Sequence, residues 1–370
     1  MVYNDIKIIL PQFRFEGNYV DAIEMTSGNI NTTYRLEYNL EGQSVFYTLQ
    51  HINRYVFKNP LMVMENIERV TNHLRESYAK ENLDSTRRVL QLIPTKTGET
   101  LYVDRQGNYW RAYHFISDAT PYDAPEKPVH LFETGRAFGE FQKRLYDFPA
   151  EQLHETIPNF HNTTRRFYTF VASVAEDKAG RVKEADEEIE FFFDHRRMMN
   201  GIVRRLESGE LPLRVTHNDT KINNVLIDDK TDKAICVIDL DTVMPGSSLY
   251  DFGDAIRFCA STAAEDEPDT SKIALDLDRY RLFAEGFLSE VDGFLHPDEI
   301  RLLPLGVQVI TCELAMRFLT DYIDGDLYFK VRSPQHNLVR ARAQMALLRD
   351  IESKQEAMQQ IIDEYLAGRR

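Results

Sequence analysis

Hydrophobic positions follow two different periods along the chain. Residues 32–38 and 44–50 are runs of β-branched and aromatic side chains separated by Asn39-Leu40-Glu41-Gly42, and they predict two strands joined as a hairpin. Pro60 stands where a first helical turn tolerates it. Leu61, Met64, Ile67, Val70 and Leu74 then recur at helical spacing and predict one helix. Strands are expected again over 89–93, 100–104 and 109–116, punctuated by Thr97-Gly98 and Gly107-Asn108. Pro121, Pro125 and Pro128, with Asp118 and Asp123, then break regular structure and suit a connection between two units. Beyond them helical spacing dominates, over 129–145, 163–179, a charged stretch 183–206, 275–288, 297–323 and 333–366. One insertion interrupts these helices: 215–228 and 234–241 read as short strands bracketing a loop, with Asp228-Asp229-Lys230-Thr231-Asp232 as the turn. The chain therefore divides into a sheet-rich unit 1–117, a linker 118–128 and a helical unit 129–370.

Composition narrows the class. With 43% hydrophobic and 28% charged residues the chain is an ordinary globular one, and its length is enough for a cleft between two units, where small ligands bind. The 44 Lys and Arg against 59 Asp and Glu leave a net charge of -15, which argues against nucleic acid as a partner. Cys236, Cys259 and Cys312 are widely spaced, neither a disulfide framework nor a zinc site, and read as reduced buried thiols. The first ten residues lack the basic and apolar regions of a signal peptide, and no uninterrupted apolar run approaches membrane-spanning length. A cytoplasmic protein with no membrane association and no evident obligate protein partner is expected.

Chemistry concentrates in one segment. His217-Asn218-Asp219 is followed by Asn224, and fifteen residues after Asn224 an apolar run ends in Asp239-Leu240-Asp241. Phosphoryl-transfer sites of the kinase type use these parts: an Asp that takes the acceptor hydroxyl proton, an Asn five residues on that holds Mg²⁺, and a second Asp on Mg²⁺ after the next strand. Five residues of loop carry the chain past a metal, so that Asp219 faces the acceptor while Asn224 faces phosphates, and the returning hairpin sets Asp239 beside Asn224. Mg²⁺ takes oxygen ligands and shares them with phosphates, which an amide and a carboxylate permit. His217 is read as a core histidine that props the loop, because Asp219 occupies the base position.

These residues resemble the aminoglycoside phosphotransferase and choline kinase superfamily of small-molecule kinases. Ser27-Gly28-Asn29-Ile30-Asn31-Thr32-Thr33-Tyr34, Leu49-Gln50-His51-Ile52-Asn53, Tyr250-Asp251-Phe252-Gly253-Asp254 and Arg317-Phe318-Leu319-Thr320-Asp321-Tyr322 resemble in particular its N-acetylhexosamine 1-kinase branch. The resemblance implies an α+β, protein-kinase-like bilobal fold with a sheet-rich N-lobe and a mainly helical C-lobe. It implies ATP as co-substrate, Mg²⁺ as cofactor, and phosphorylation of the anomeric hydroxyl of GlcNAc or GalNAc. Carried over by position, Asp219 is the base, Asn224 and Asp239 are metal ligands, and Asp241 is either a further metal ligand or a cap of its loop. Ser27, Gly28 and Asn29 would cover the phosphates, Tyr113 and Phe115 would lie where a hinge meets adenine, and Arg317, Tyr328 and Asn29 would contact the sugar. The alternatives are a kinase for an aminoglycoside, homoserine or choline, and a non-catalytic pseudokinase.

Two departures from the protein-kinase pattern stand out. The phosphate loop has Gly28 alone, and the strand that should offer a lysine has Gln50, which supplies no charge. Glu65 or Glu68 on the following helix is a candidate to orient Gln50, set against a solvated helix face. The acidic run Glu265-Asp266-Glu267-Pro268-Asp269 reads as a solvated loop. Arg317 sits one position off the apolar line Leu314, Phe318, Tyr322, facing either solvent or the cleft.

Overall fold

A computed structural model describes residues 6–25 and 30–368. After a short helix α1 (Ile6–Ile9) the N-lobe is built on strands β1 (Asn18–Met25), β2 (Thr32–Leu40) and β3 (Gln43–Ile52), helix α2 (Pro60–Lys80), and strands β4 (Leu92–Ile93), β5 (Tyr102–Val103) and β6 (Tyr109–His114). The antiparallel sheet runs in the order β1-β2-β3-β6-β4, with β5 also on β6. Glu41 and Gly42 both take positive φ, which turns the chain tightly enough for Leu40 to pair with Gln43. Tyr34, Leu36 and Tyr38 alternate into the same core as Tyr47, Leu49, Trp110 and Ala112. Asn59 caps α2 by accepting from the Met62 N–H, and Pro60 opens it. Its buried stripe is Val63, Met64, Ile67, Val70 and Leu74, whereas the expected Leu61 is exposed. β4 and β5 are only two residues each, shorter than expected. Beside β5 the Asp104 carboxylate gathers the N–H groups of Gln106 and Asn108, and this turn chemistry replaces ladder pairing.

The proline-rich connection is not wholly irregular. Its first part forms β7 (Ala119–Pro121), an edge strand on β9 (Val225–Asp228), which pairs in turn with β10 (Ala234–Val237). At an edge, Pro121 can lack its N–H without breaking an interior ladder. β8 (Arg214–Thr216) pairs with β11 (Met244–Gly246). The helices of the C-lobe are α3 (Pro128–Arg144), α4 (Thr163–Glu176), α5 (Asp186–Met199), α6 (Gly201–Ser208), α7 (Ser248–Cys259), α8 (Leu277–Val291), α9 (Pro297–Arg301), α10 (Leu303–Asp324), α11 (His336–Ser353) and α12 (Gln355–Ala367). Three expected long helices are thus each two, broken at Asn200, Leu302 and Lys354.

Helix α7 has no counterpart in the periodic pattern. All its residues but Phe258 are buried, so no polar face marks it as amphipathic. It crosses α10 closely: a Cβ on Gly253 would lie 2.3 Å from the Gly306 carbonyl oxygen, and one on Gly306 would lie 2.2 Å from that of Leu249. α10 is long and apolar enough to cross a membrane, but 78% of its most apolar window is buried inside the fold. It is the central post of the C-lobe, against which α4, α5, α7 and α11 pack.

Candidate active site

The loop after β8 is suspended from the first turns of α7. The backbone N–H groups of His217 and Asn218 donate to the Asp251 carboxylate at 2.9 and 2.8 Å, and Gln142 Nε2 donates to it at 2.7 Å. Thr220 adds its Oγ1 to the Asp251 carbonyl and its N–H to Asp254, at 2.6 and 3.0 Å. Burial pushes the Asp251 carboxyl up, while these donors and His217 pull against the rise. Asn218 sits at φ 64°, a left-handed conformation that Asn tolerates. His217 has no exposure, meets the Ile238 carbonyl through Nε2 at 2.9 Å, and accepts the Asp219 N–H on Nδ1 at 3.3 Å. That pattern assigns its proton to Nε2 and makes it the prop of the loop.

Asp219 reaches solvent with 27% of its side chain and is held on both oxygens, by Lys221 Nζ at 2.8 Å and Asn224 Nδ2 at 3.1 Å. Burial alone would lower the Lys221 ammonium, but Asp219 and Asp254 outweigh it and hold it above its ordinary value. Asn224 also turns Nδ2 to the Asp219 carbonyl, which leaves its Oδ1 as the end of the amide that could meet a cation. The Ile238 N–H donates to the Asn224 carbonyl at 2.9 Å and so clips Asp239 beside Asn224.

Asp239, at φ 59°, keeps some solvent access while the protein packs around it, and no hydrogen bond or ion pair to its carboxylate is formed by the described residues. Desolvation by that surrounding protein, and then Asp241 and Asp219, push its carboxyl up to about 7, against the pull of Arg111 and Lys221. An open carboxylate under that strain next to an amide oxygen fits Mg²⁺. Among the described residues no three His, Cys, Asp or Glu side chains form a metal cage, so the remaining ligands would be phosphate and water oxygens.

Asp241 does not present itself as a metal ligand in this structure. It is buried, and its two oxygens accept from Arg111 Nη1 and, at 2.6 Å, from Asn31 Nδ2. Arg111 also donates Nε to Gln50 Oε1 at 2.9 Å, and Gln50 Nε2 donates to Thr33 Oγ1 at 3.0 Å. Gln50 is thus oriented by Arg111, not by the helix: Glu65 meets His154 and Arg69, and Glu68 meets Thr100. Tyr113 is buried, with the Arg111 guanidinium over its ring at 5.4 Å. The Phe115 N–H is donated to the Phe46 carbonyl at 3.1 Å, so that donor is not open to a base. Ser27, Gly28 and Asn29 lie outside the described residues.

On α10, Arg317 is turned inward, with only 15% of its side chain exposed. Its guanidinium stands 5.3, 5.8 and 5.6 Å from the ring centroids of Phe160, Tyr328 and Phe329. The Asp321 carboxylate accepts the N–H groups of Leu327, Tyr328 and Phe329 and so shapes the loop that carries two of these rings. Tyr55 of the N-lobe reaches the Leu327 carbonyl at 3.2 Å. Beneath lies Glu313, which meets His161 at 3.0 Å and Arg166 at 3.1 Å. Burial would raise Glu313, but His161, Arg166 and Arg317 hold it below the usual carboxylate range; burial and Arg317 lower Arg166 to about 10.

The acidic run is not merely solvated, since Glu265 pairs with Arg257 at 3.0 Å and Asp266 with His336 at 3.1 Å. Lys221, Arg111, Arg166 and Glu313 were not singled out by sequence reasoning. The signal for Arg111 was a charge inside the otherwise apolar and aromatic strand Tyr109-Trp110-Arg111-Ala112-Tyr113.

Comparison with known proteins agrees with this architecture. The chain superposes on a microcompartment-associated aminopropanol kinase with a TM-score of 0.62 at 15% identity, covering 96% of this chain and 98% of that one. A choline kinase from Cryptosporidium parvum gives 0.54 at 14% identity, covering 94% and 93%. A spectinomycin phosphotransferase in complex with ADP and spectinomycin gives 0.52 at 14%, covering 95% and 97%. These likenesses establish the protein-kinase-like bilobal fold. The sequence model described as the phosphotransferase enzyme family (APH) matches residues 22–286, from β1 through most of α8 and hence across the whole suspended loop, and the chain belongs to that family.

Proposed function

We propose that the protein transfers the γ-phosphoryl group of ATP to the anomeric hydroxyl of an N-acetylhexosamine, GlcNAc or GalNAc, to give the sugar 1-phosphate and ADP. The observation that carries the acceptor class is Arg317 in its aromatic cage. An amino alcohol such as choline needs open aromatic faces or unpaired carboxylates for its cation. Here the three rings already surround a guanidinium, and Glu313 already faces two arginines. A neutral acceptor rich in hydroxyls and an amide carbonyl suits these donors better.

In this reading Asp219 takes the proton of the anomeric hydroxyl as that oxygen attacks the γ-phosphorus and the bond to the β-phosphate oxygen breaks. Asn224 and Lys221 keep the carboxylate aimed, so that proton transfer needs little rearrangement. Asn224 Oδ1 and Asp239 would hold Mg²⁺, which neutralises developing charge on the phosphates when bound. Reduced, buried Cys236, Cys259 and Cys312 and the use of ATP suit a cytoplasmic enzyme. The second reading, an amino-alcohol kinase, is favoured by the fold likeness to the aminopropanol and choline kinases and by the net charge of -15.

The test is a screen of hexoses, N-acetylhexosamines, amino alcohols and aminoglycosides with ATP and Mg²⁺, with phosphorus NMR to locate the new ester. An anomeric phosphate on N-acetylhexosamines is expected. Turnover of amino alcohols with none of the sugars would replace this reading by the second.

A further inference from the structure

The missing strand lysine leaves a question of charge: a polyphosphate needs a cation, and Gln50 is neutral. The sheet supplies one on the adjacent strand. Gln50 and Arg111 are direct partners in the antiparallel ladder of β3 and β6, so their side chains leave the sheet on the same face. There Arg111 Nε donates to Gln50, and Arg111 Nη1 pairs with Asp241, which belongs to the C-lobe segment that also carries Asp239. Asn31, immediately before β2, holds the other oxygen of Asp241 and is itself fixed by the Asn53 N–H at 3.0 Å. The guanidinium therefore stands where the strand lysine is missing, between the sheet and the carboxylates of the loop.

A buried cation is costly to leave without an anion. Arg111 is 1% exposed and Asp241 is 3% exposed, so neither can part from the other unless another charge takes its place. We propose that Arg111 is the phosphate-binding cation of the nucleotide site, paired with Asp241 in the nucleotide-free protein and transferred to the polyphosphate when nucleotide enters. The exchange frees Asp241 beside Asp239, where a divalent cation arriving with the nucleotide would meet a second carboxylate. Asp241, which the family resemblance reads as either a further metal ligand or a cap of its loop, would on this proposal be the anion that holds Arg111 until a polyphosphate replaces it. This rests on ATP being the donor and is independent of the identity of the acceptor.

Calorimetric titration of ATP, ADP and adenosine, with and without Mg²⁺, tests it on the wild-type protein and on Arg111→Gln, Arg111→Lys and Asp241→Asn. Arg111→Gln should weaken ATP and ADP at least tenfold and adenosine less than twofold, and Arg111→Lys should recover part of the loss. Asp241→Asn removes the competing carboxylate, so it should tighten Mg²⁺-free ATP binding at least threefold while lowering the Tm of the nucleotide-free protein. If Arg111 and Asp241 were only an interlobe strut, both substitutions would weaken ATP and adenosine by the same factor, and that result overturns the proposal. Should Arg111→Gln not fold, Arg111→Lys and Asp241→Asn still decide. Wild-type protein that binds no ATP would overturn the reading of ATP as donor and the proposal with it. Wild-type binding with variants unchanged would overturn the proposal alone.

Discussion

Replacing Arg317 by alanine separates a role in acceptor binding from a role in the fold. Its guanidinium touches three rings, and each such contact is worth ~0.5 to 1 kcal/mol at a site that keeps some access to water. Its approach to Glu313 is long, 3.9 Å, and adds little. Against these gains stands repulsion from Arg166, which lowers that neighbour's guanidinium. The net cost to stability is therefore roughly 1 to 2 kcal/mol, small against an unfolding free energy of ~5 to 15 kcal/mol. Losing hydrogen bonds from a charged donor to the sugar costs more, ~1.5 to 3 kcal/mol. At about 1.4 kcal/mol per decade this is roughly ten- to 150-fold in the acceptor KM. Steady-state kinetics with each substrate varied in turn reads the difference: the KM for N-acetylhexosamine should rise at least tenfold while that for ATP stays within about twofold. Vacating the cage should also improve turnover of choline, whose cation can then take the place of the guanidinium. Equal rises in both KM values would show that Arg317 supports the fold, and an unchanged acceptor KM would refute the contact.

Three further substitutions probe the rest of the site. Asp219→Asn should lower kcat by ~10² to 10⁴ while ATP affinity measured by calorimetry is kept, and a variant with a tenth of wild-type kcat would remove Asp219 from the role of base. Asp239→Asn should abolish the Mg²⁺ dependence of ATP binding, and it should alter the pH dependence of stability in the nucleotide-free protein. With its carboxyl raised from 3.8 to about 7, the folded state holds a proton that the unfolded chain has lost, so this contribution is whole below about pH 4 and disappears as the pH rises through 7. The variant should therefore gain more in Tm over wild type at pH 8 than at pH 4, and a pH-independent difference would contradict the assignment. Asp251→Ala leaves the His217 and Asn218 N–H groups buried without an acceptor, at ~1 to 3 kcal/mol each, so urea unfolding should show a loss of about 2 to 6 kcal/mol with a parallel fall in kcat. A stable variant with full turnover would show that the loop does not depend on that anchor.

What could be read along the chain was local in origin. The β2–β3 hairpin follows from a turn at Glu41-Gly42, α2 from Pro60 and a 3.6-residue apolar stripe, and the suspended loop from residues within one contiguous stretch, His217 to Asn224. Each of these is set by short-range sterics and spacing, which the sequence displays in order. Helix α7 was hidden because a helix buried on every side has no polar face, so periodicity cannot reveal it. Helices α5 and α6 share one apolar period across Lys183 to Leu206, through a break at Asn200 that only chain geometry reveals. The partners of the site were set by tertiary structure. Gln50 meets Arg111 across 61 residues because β6 lies against β3 in the sheet, and Arg111 meets Asp241 across 130 because the turn after β10 comes to that sheet face. Arg317 is turned away from water because Phe160 and the loop held by Asp321 enclose it. The spacing of a motif prescribes which groups are present, but which charge answers another depends on strands and helices that meet only after the chain has folded.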